Sequence, residues 1–344
     1  MDTQQPPKPA LIAFEVTTRC RFACPHCRAA AGPGADGGLD TAQCLQVISS
    51  IADYCRCTLI LTGGEPTERS DLIELVEAGR GKGLRMVMAT CGYNLDDRLA
   101  RQLRQAGIEA IAFSLDGPDP KVHDMVRGKD GAFETIIEAA GAARRAGLPF
   151  QINTTITKLN VGCIVDIARL AKDMGATCFN PFILVPTGRA RKMLDKVLDG
   201  PTYEQTLQLL AQIPAMLGIQ VRVTCGPQFV RVTAQRTKGS AKFRTHGCMG
   251  GIGFGFISHK GDVQACGFLD LVAGNLVENG YDFAAIWERS WLLSALRNRA
   301  AITGQCRSCA FLDDCGGCRA RAYCISGDYL ASDPVCKGPY PAIS

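Results

Sequence analysis

Short apolar runs alternate with amphipathic stretches over the first two thirds of the chain. The runs have the length of buried strands, and the stretches between them repeat apolar residues every three or four positions, as helices do. The runs predict six strands, at 11–16, 58–62, 85–90, 110–115, 150–156 and 178–185. The stretches predict helices at 41–52, 71–82, 96–106, 132–146, 161–174 and 202–217, with a possible further strand at 220–224.

Six successive strand–helix units predict an α/β fold with a parallel sheet, in the form of a partial (β/α)6 barrel. Several predicted helices end at a glycine, which suits a left-handed helix cap, at Gly83, Gly107, Gly147 and Gly175. In such folds the chemistry lies beyond the carboxyl ends of the strands. We therefore expect the segments after residues 16, 62, 90, 115 and 156 to form one functional face.

The composition changes after about residue 225, where glycine, cysteine and turn residues become dense and helical periodicity survives mainly over 283–299. The sequence thus predicts three parts: a disordered N-terminal tail at 1–9, the barrel at 10–225, and a small cysteine-rich domain at 226–344. The last part has few candidate core residues, so we expect metal ligation to supply much of its folding free energy.

Charge and hydropathy exclude two classes of partner. The formal charge of +5 arises from 38 basic and 33 acidic residues, with no basic block, so no nucleic-acid partner is expected. No apolar run is long enough to span a bilayer, and the N-terminus lacks the apolar segment of a signal peptide. The sequence predicts a cytoplasmic protein without a membrane span.

Eighteen cysteines point to metal, because a reducing cytoplasm disfavours disulfides. One group is Cys20, Cys24 and Cys27; a second is Cys306, Cys309, Cys315, Cys318, Cys324 and Cys336, preceded by Cys248 and Cys266. Single cysteines within strand or helix patterns are interpreted as small hydrophobic residues, at Cys44, Cys55, Cys57, Cys163 and Cys178.

The first group has the spacing C-x3-C-x2-C directly after the first predicted strand. Three thiolates leave the fourth iron of a [4Fe–4S] cubane without a protein ligand, so a small molecule with an amino and a carboxylate group can chelate it. A zinc site is the alternative, although a structural zinc needs a fourth ligand. His26 could supply one, but it lies between two of the cysteines.

This motif resembles that of the radical S-adenosylmethionine (SAM) superfamily, and other segments agree with it. LTGGEP at 61–66 follows the second strand, and the resemblance implies SAM contacts at Gly63, Gly64, Glu65, Ser114, Asp116, Arg127 and Asn153. Taken singly, the glycines are consistent with an ordinary turn, and Ser114 or Asp116 with a helix cap. Cys91 departs from the family, which commonly has asparagine there, and this puts the ribose contact in doubt.

The C-terminal cysteines resemble the SPASM domain, which adds auxiliary [4Fe–4S] clusters to radical SAM enzymes. The resemblance implies that one cluster is held by Cys306, Cys309, Cys315 and Cys336, and the other by Cys248, Cys266 and Cys318. The family often has a further cysteine between 248 and 266, and none is present. Cys324 is a candidate for the missing ligand; otherwise that cluster has an open iron. A zinc ribbon is the alternative for this domain.

Three segments, 14–31, 246–269 and 315–336, closely resemble the AdoMet-dependent heme synthases. The resemblance implies oxidative decarboxylation of two propionates of iron-coproporphyrin III, a tetrapyrrole, to vinyl groups, with electrons from a low-potential donor such as ferredoxin or flavodoxin. Candidate propionate-binding arginines are Arg19, Arg21, Arg28, Arg189, Arg319 and Arg321, and His26, His246 and His259 could lie near the porphyrin iron.

Two other functions are weighed against this one. The first is a peptide-modifying maturase with the same two-domain plan. The second, from another class, is a non-catalytic iron–sulfur electron carrier or a zinc-binding interaction protein. Such a module has no need of the GGEP turn with Ser114, Asp116 and Arg127, and metal analysis separates it from an enzyme.

Overall fold

A computed structural model describes residues 5–35, 38–236 and 246–338. The strands are β1 Leu11–Thr17, β2 Thr58–Gly63, β3 Arg85–Thr90, β4 Ile108–Ser114, β5 Phe150–Ile156, β6 Cys178–Ile183, β7 Gln220–Val221, β8 Phe254–Ile257, β9 Asp262–Gln264 and β10 Val272–Asn275. The α-helices are α1 Thr41–Tyr54, α2 Leu72–Gly81, α3 Asp97–Ala106, α4 Pro120–Arg127, α5 Ala132–Arg145, α6 Ile164–Asp173, α7 Gly200–Leu210, α8 Ile213–Leu217, α9 Phe229–Arg236, α10 Phe283–Arg289, α11 Trp291–Arg297, α12 Leu312–Cys315 and α13 Arg319–Ser326. Short 3-10 helices lie at Pro66–Glu68, Val161–Cys163, Gly188–Lys196, Arg299–Ala301 and Gly304–Cys306.

All ten strands form one sheet in the order β10-β9-β8-β1-β2-β3-β4-β5-β6-β7. The strands from β1 to β7 run parallel, as the alternation of strands and helices predicts. β8 pairs in parallel with β1, and β9 and β10 continue the sheet antiparallel. The sheet is therefore continuous across the predicted domain boundary at 225/226.

Side chains alternate along the barrel strands between a buried layer under the helices and a less buried inner side. In β5, Ile152 is fully buried, whereas Gln151, Asn153 and Thr155 are only partly buried. The helices cover the buried side chains of the strands, because these side chains form one large apolar core with residues of the helices. The inner side and the carboxyl ends of the strands remain for polar side chains, which is where the sequence places the candidate site.

Two predicted helices are each two helices in the structure. The segment 202–217 is α7 and α8, because Pro214 lacks the N–H that would continue α7 and instead occupies the first turn of α8. The segment 283–299 is interrupted at Ser290, whose backbone is extended between α10 and α11. The four glycine caps are confirmed, since each has the positive φ of the left-handed region.

Residues 5–9 belong to the segment predicted as a disordered tail, and where they are described they contact the rest of the chain. Pro7 O accepts a hydrogen bond from Trp287 Nε1 over 3.0 Å, and Lys8 Nζ donates to Tyr54 O over 2.7 Å. Residues 1–4 lie outside the described residues. In the part of the chain that the structure describes, no helix has the length and apolar character needed to cross a bilayer.

Candidate active site

The three cysteines that follow β1 lie in one small buried cluster. Cys20 and Cys24 are buried and Cys27 is partly buried. They pack with Phe22, Ala31, Cys91 and Ala132. Their loop is fixed by its own backbone: Cys20 N donates to Gly32 O over 3.2 Å, and Cys27 N donates to Cys24 O over 3.1 Å. The backbone of the loop thus holds the three cysteines close together.

The two glycines of the GGEP turn let the end of β2 pack directly on the backbone that leads to Cys20. Gly64 N donates to Thr17 O over 2.7 Å, and a Cβ on Gly64 would lie 2.3 Å from Arg19 O. Gly63 has a φ of +151°, and a Cβ there would lie 2.2 Å from Thr17 O. In this structure the glycine requirement therefore comes from the chain itself, whatever the turn binds in addition.

Glu65 is fully buried and its carboxylate joins the ends of β2 and β3. It accepts hydrogen bonds from Thr90 Oγ1 over 2.7 Å and from Cys91 N over 2.8 Å. Burial raises the pKa of Glu65, and the hydrogen bonds from Cys91 and Thr90 only partly oppose that rise. The Cys91 thiol also hydrogen-bonds to Cys20 and thereby lowers the pKa of Cys20. Cys91, which departs from the family pattern, therefore bridges Glu65 and the cysteine loop.

Asp116 and Arg127 form a buried ion pair beside the cysteine loop. Arg127 Nε lies 2.8 Å from Asp116 Oδ2, and Arg127 Nη1 donates to Cys24 Sγ over 3.9 Å. Burial lowers the pKa of Arg127, but the Asp116 carboxylate and Cys24 outweigh it and raise that pKa above its usual value. The guanidinium therefore stays charged next to Cys24.

Two histidines flank this pair and both are neutral at neutral pH, because burial lowers the pKa of His26 and of His123 to about 4. His26 Nε2 lies 3.5 Å from Asp116 Oδ2. His123 Nδ1 accepts a hydrogen bond from Asp116 N over 3.0 Å, and Thr155 N donates to Asp116 Oδ1 over 2.6 Å. His26 and Thr155 thus orient the Asp116 carboxylate, and His123 fixes the backbone of Asp116.

Ser114 and Asn153 lie opposite each other on the neighbouring strands β4 and β5. Asn153 Oδ1 accepts hydrogen bonds from Gln151 Nε2 over 2.9 Å and from Asn180 Nδ2 over 3.1 Å. The structure therefore places this pair on the inner side of the barrel. Glu65, Asp116 and Arg127, by contrast, lie around the cysteine loop itself.

One set of C-terminal cysteines surrounds a single cavity. It is lined by the four that the sequence groups together, Cys306, Cys309, Cys315 and Cys336, with Gln228, Arg231, Phe311 and Gly317 among the other lining residues. Burial raises the pKa of Cys315 to about 12, and Cys336 and Cys306 are close enough to add to that rise. Backbone amides point at two of the sulfurs: Phe311 N to Cys309 Sγ over 3.5 Å and Gly317 N to Cys315 Sγ over 3.4 Å.

The second C-terminal set also converges. Burial raises the pKa of Cys266 to about 12, with contributions from the neighbouring Cys248 and Cys318. Cys225, which the sequence analysis did not select as a ligand, hydrogen-bonds to Cys318. Cys324 also lies near Cys318, but its thiol hydrogen-bonds to Thr187. An isolated cysteine such as Cys225, 93 positions before Cys318, carries no spacing signal.

The cysteine sets are not arranged around single ions. Within residues 5–35, 38–236 and 246–338, no three Cys, His, Asp or Glu side chains are placed to share one metal ion. A cubane cluster needs a different arrangement, because each thiolate binds a separate iron at its own corner. Thiols around a cavity, with amides directed at the sulfurs, fit such a cluster.

Comparison with known proteins identifies the family. The model of the radical SAM superfamily matches residues 14–171, a range that contains the cysteine loop, the GGEP turn, Asp116 and Arg127. The AdoMet-dependent heme synthase of Nitratidesulfovibrio vulgaris is 38% identical over 338 residues, which are 95% of this chain and 92% of that protein. The chain belongs to the radical SAM superfamily. It is a radical SAM enzyme, and membership implies a [4Fe–4S] cluster and SAM.

Other radical SAM relatives match a similar extent of the chain. The AdoMet-dependent heme synthase of Methanosarcina barkeri is 38% identical, with 95% of this chain and 96% of that protein covered. The mycofactocin maturase MftC of Mycolicibacterium smegmatis is 31% identical, with 95% and 82% covered.

Solved radical SAM structures share the fold. Streptococcus suis SuiB bound to S-adenosylmethionine has a TM-score of 0.75 at 17% identity, with 96% of this chain and 77% of that chain covered. The native protein anSMEcpe with bound AdoMet and a peptide has a TM-score of 0.72, with 96% and 94% covered. The predicted fold class, a radical SAM barrel followed by a cysteine-rich region, is confirmed.

Several candidate arginines already serve the radical SAM fold. Arg189 donates to Cys24 O over 2.9 Å and to Ala31 O over 2.6 Å, so it holds the cysteine loop. Arg319 donates to three backbone carbonyls, and Arg321 forms a fully buried pair with Asp333. The last two are therefore poor candidates for binding propionate.

Of the remaining three candidates, Arg19 and Arg21 are exposed, whereas Arg28 is partly buried and lies directly after the cysteine loop. Its Nη1 is 2.8 Å from Glu15 Oε2, and its guanidinium lies 4.3 Å from the centre of the Phe256 ring. His259 Nδ1 lies 2.8 Å from the other oxygen of Glu15. These contacts connect β1 and β8 to the residue that follows Cys27.

Proposed function

We propose that this radical SAM enzyme converts two propionate side chains of iron-coproporphyrin III to vinyl groups and so forms heme b. Each conversion removes one hydrogen atom and one electron from the propionate. The carbon–carbon bond to the carboxylate breaks, CO2 leaves, and a carbon–carbon double bond forms. The hydrogen atom goes to the 5′-carbon derived from SAM, and the electron goes to an iron–sulfur acceptor.

One observation carries this proposal: the 38% identity to AdoMet-dependent heme synthases extends over 95% of the chain. The match covers nearly the whole chain, and the reaction needs a hydrogen-abstracting part and an electron-accepting part. The maturase relative is more distant, at 31% identity.

At the first site the proposal assigns the cluster ligands to Cys20, Cys24 and Cys27. When bound, the cluster and SAM supply the one-electron chemistry that attacks an unactivated C–H bond. The side chains of the protein bind SAM and orient it. Glu65 offers a buried carboxylate for the ammonium group of SAM, and Arg127 offers a charged guanidinium for its carboxylate.

Gly63, Gly64, Ser114, Asp116 and Asn153 complete the proposed SAM contacts. The contacts of Asp116 support this assignment: its carboxylate pairs with Arg127 and accepts a hydrogen bond from Thr155 N, and its backbone N–H donates to His123 Nδ1. The surrounding burial excludes water from a site where a radical would otherwise be quenched.

For the substrate, Arg28 is the best placed of the candidate arginines. A guanidinium has five N–H donors, so Arg28 can keep its contact with Glu15 and still bind a propionate. Because Arg28 follows Cys27 directly, a propionate bound there would lie close to the SAM site.

The two C-terminal cysteine sets could hold two auxiliary [4Fe–4S] clusters, which would supply an acceptor for the electron. Cys306, Cys309, Cys315 and Cys336 would hold one, and Cys248, Cys266 and Cys318 would supply three ligands of the other. A ferredoxin or flavodoxin in the cytoplasm would reduce the first cluster.

The test is an anaerobic incubation of the reconstituted, reduced protein with SAM and iron-coproporphyrin III. We expect heme b and 5′-deoxyadenosine, detected by liquid chromatography and mass spectrometry. An Arg28→Gln variant should raise the KM for the porphyrin while still cleaving SAM, and an Arg85→Gln variant, in which an exposed arginine is changed, should behave as the wild type. Deoxyadenosine without any change in the porphyrin would exclude the heme synthase function.

A further inference from the structure

The second C-terminal cysteine set lacks an obvious fourth ligand. Cys248, Cys266 and Cys318 supply three thiols, whereas a fully ligated [4Fe–4S] cluster takes four. The sequence suggests Cys324, and two thiols lie close enough to Cys318 to be considered: Cys324 and Cys225.

Cys225 lies inside this set. Its thiol hydrogen-bonds to the thiol of Cys318, and Cys266 is a further close neighbour. The residue follows Thr224, which bridges to Phe182 of β6, so it enters from the carboxyl end of the barrel. Three cysteines of the C-terminal region thus meet a fourth that comes from the barrel.

The backbone at Cys225 is held in an unfavourable conformation. Its φ is +59°, in the left-handed region that non-glycine residues seldom adopt. The Cys225 carbonyl accepts a hydrogen bond from Arg321 Nη2 over 3.0 Å. Arg321 is in turn fixed by both oxygens of Asp333, over 2.9 Å each. Such a conformation persists only where the surroundings impose it, and here it brings the thiol to Cys318.

The same network places Cys318. Asp333 Oδ2 accepts a hydrogen bond from Cys318 N over 2.9 Å and another from Gln228 Nε2 over 2.8 Å. One buried carboxylate therefore positions Cys318 directly and Cys225 through Arg321.

Cys324 is oriented differently. It lies on α13, its thiol hydrogen-bonds to Thr187, and Arg191 and Asp270 are among its neighbours. Those two residues form an exposed ion pair, so Cys324 is close to the protein surface. Its proximity to Cys318 follows from their closeness in sequence, because Cys318 is the N-cap of α13 and Cys324 lies within that short helix.

We propose that Cys225 is the fourth thiolate ligand of the second auxiliary cluster, together with Cys248, Cys266 and Cys318. The inference rests on the proposed function, which supplies the cluster. A cluster with four thiolates has no open iron, so it accepts electrons from the substrate without binding it. The porphyrin is then held by side chains of the barrel.

The experiment measures auxiliary iron alone, in a chain with Cys20, Cys24 and Cys27 all changed to alanine. After anaerobic reconstitution this background should carry about eight irons per chain, four in each cluster. Adding Cys225→Ala should remove up to about four irons, or yield a three-iron cluster seen by electron paramagnetic resonance after oxidation. Cys324→Ala should keep about eight irons. The matched control Cys178→Ala, which changes a buried cysteine of β6, should also keep them. Full iron in Cys225→Ala, with a loss in Cys324→Ala, would overturn the assignment.

A second measurement uses the unsubstituted protein and does not depend on how a variant folds. Iodoacetamide labelling followed by mass spectrometry should leave Cys225 and Cys318 unmodified in the iron-loaded protein and modify both after the iron is chelated. Cys324 should be labelled equally in the two states. Equal labelling of Cys225 in both states would contradict its role as a ligand.

Neither measurement involves porphyrin, so the two proposals can fail separately. Iron loss in Cys225→Ala without heme b formation by the wild type refutes only the proposed function. A background that takes up no iron refutes both.

Discussion

At the residue scale, Cys91 tests whether the first cluster has an open iron. It lies among the three loop cysteines and hydrogen-bonds to Cys20, so a four-thiolate cluster is the structural alternative. We expect Cys91→Ala to keep the first cluster, because Cys91 also bridges to Glu65, whereas Cys24→Ala should lose about four irons. The measurement is the electron paramagnetic resonance spectrum of the reduced cluster, which changes on addition of SAM when an iron is open. A wild-type spectrum that SAM leaves unchanged, together with a SAM response in Cys91→Ala, would indicate that Cys91 is a fourth ligand.

His123 gives a prediction for pH. Its pKa is lowered to about 4 by burial, helped by Arg127 and His26 and opposed by Asp116 and Asp124, whereas an unfolded histidine titrates near 6.5. Between these two pKa values the unfolded chain binds more protons at His123 than the folded chain does. The contribution of neutral His123 to the free energy of unfolding is therefore fully present above about pH 6.5 and falls as the pH is lowered. His123→Gln should reduce this dependence by up to about 1.4 kcal/mol per pH unit, measured by anaerobic urea unfolding at several pH values. Identical slopes in wild type and variant would contradict a neutral buried His123.

At the scale of elements, the contact between the GGEP turn and the cysteine loop determines whether the first cluster can form. In Gly64→Ala the added methyl group would overlap Arg19 O, so the turn or the loop must move. We expect the free energy of unfolding to fall by about 1–3 kcal/mol and the first cluster to be lost. Gly81→Ala is the matched control, because nothing lies within 4 Å of its Cβ and it belongs to α2. That variant should gain about 0.5–1 kcal/mol and keep its iron. Thermal unfolding and iron content measure both, and equal iron in the two variants would argue against this role of the turn.

The elements also show what the sequence could and could not predict. Strands β3 and β5 have the predicted bounds because turn or polar residues lie close to both ends, Gly83 and Gly92 for β3 and Pro149 and Thr157 for β5. Helix α4 was missed although its signals are present: Asp119 caps it, Pro120 begins it and Gly128 ends it with a φ of +65°. The three loop cysteines could be found because they are close in sequence. The contact of Cys225 with Cys318 could not, because it depends on how β7 and α13 pack.

At the scale of the whole molecule, the Asp333 network joins the barrel to the C-terminal region. Asp333 is buried, pairs with Arg321, and accepts hydrogen bonds from Gln228 and Cys318. Asp333→Asn leaves the Arg321 guanidinium buried without its counter-charge, so we expect a loss of about 3–5 kcal/mol in the free energy of unfolding. Less iron in the second auxiliary set should accompany this loss. Asp270→Asn, which removes an exposed ion pair of the same region, should change stability by no more than about 0.5 kcal/mol.

The parallel pairing of β8 with β1 has a consequence for biosynthesis. β1 leaves the ribosome early, but the strand that covers its other side follows about 240 residues later. At translation rates of about 5–20 residues per second, this edge of β1 stays open for roughly 10–50 s. An unpaired strand edge is a template for association with other chains. Nascent chains stalled before residue 254 should therefore recruit chaperones or aggregate, and chains released after residue 257 should not.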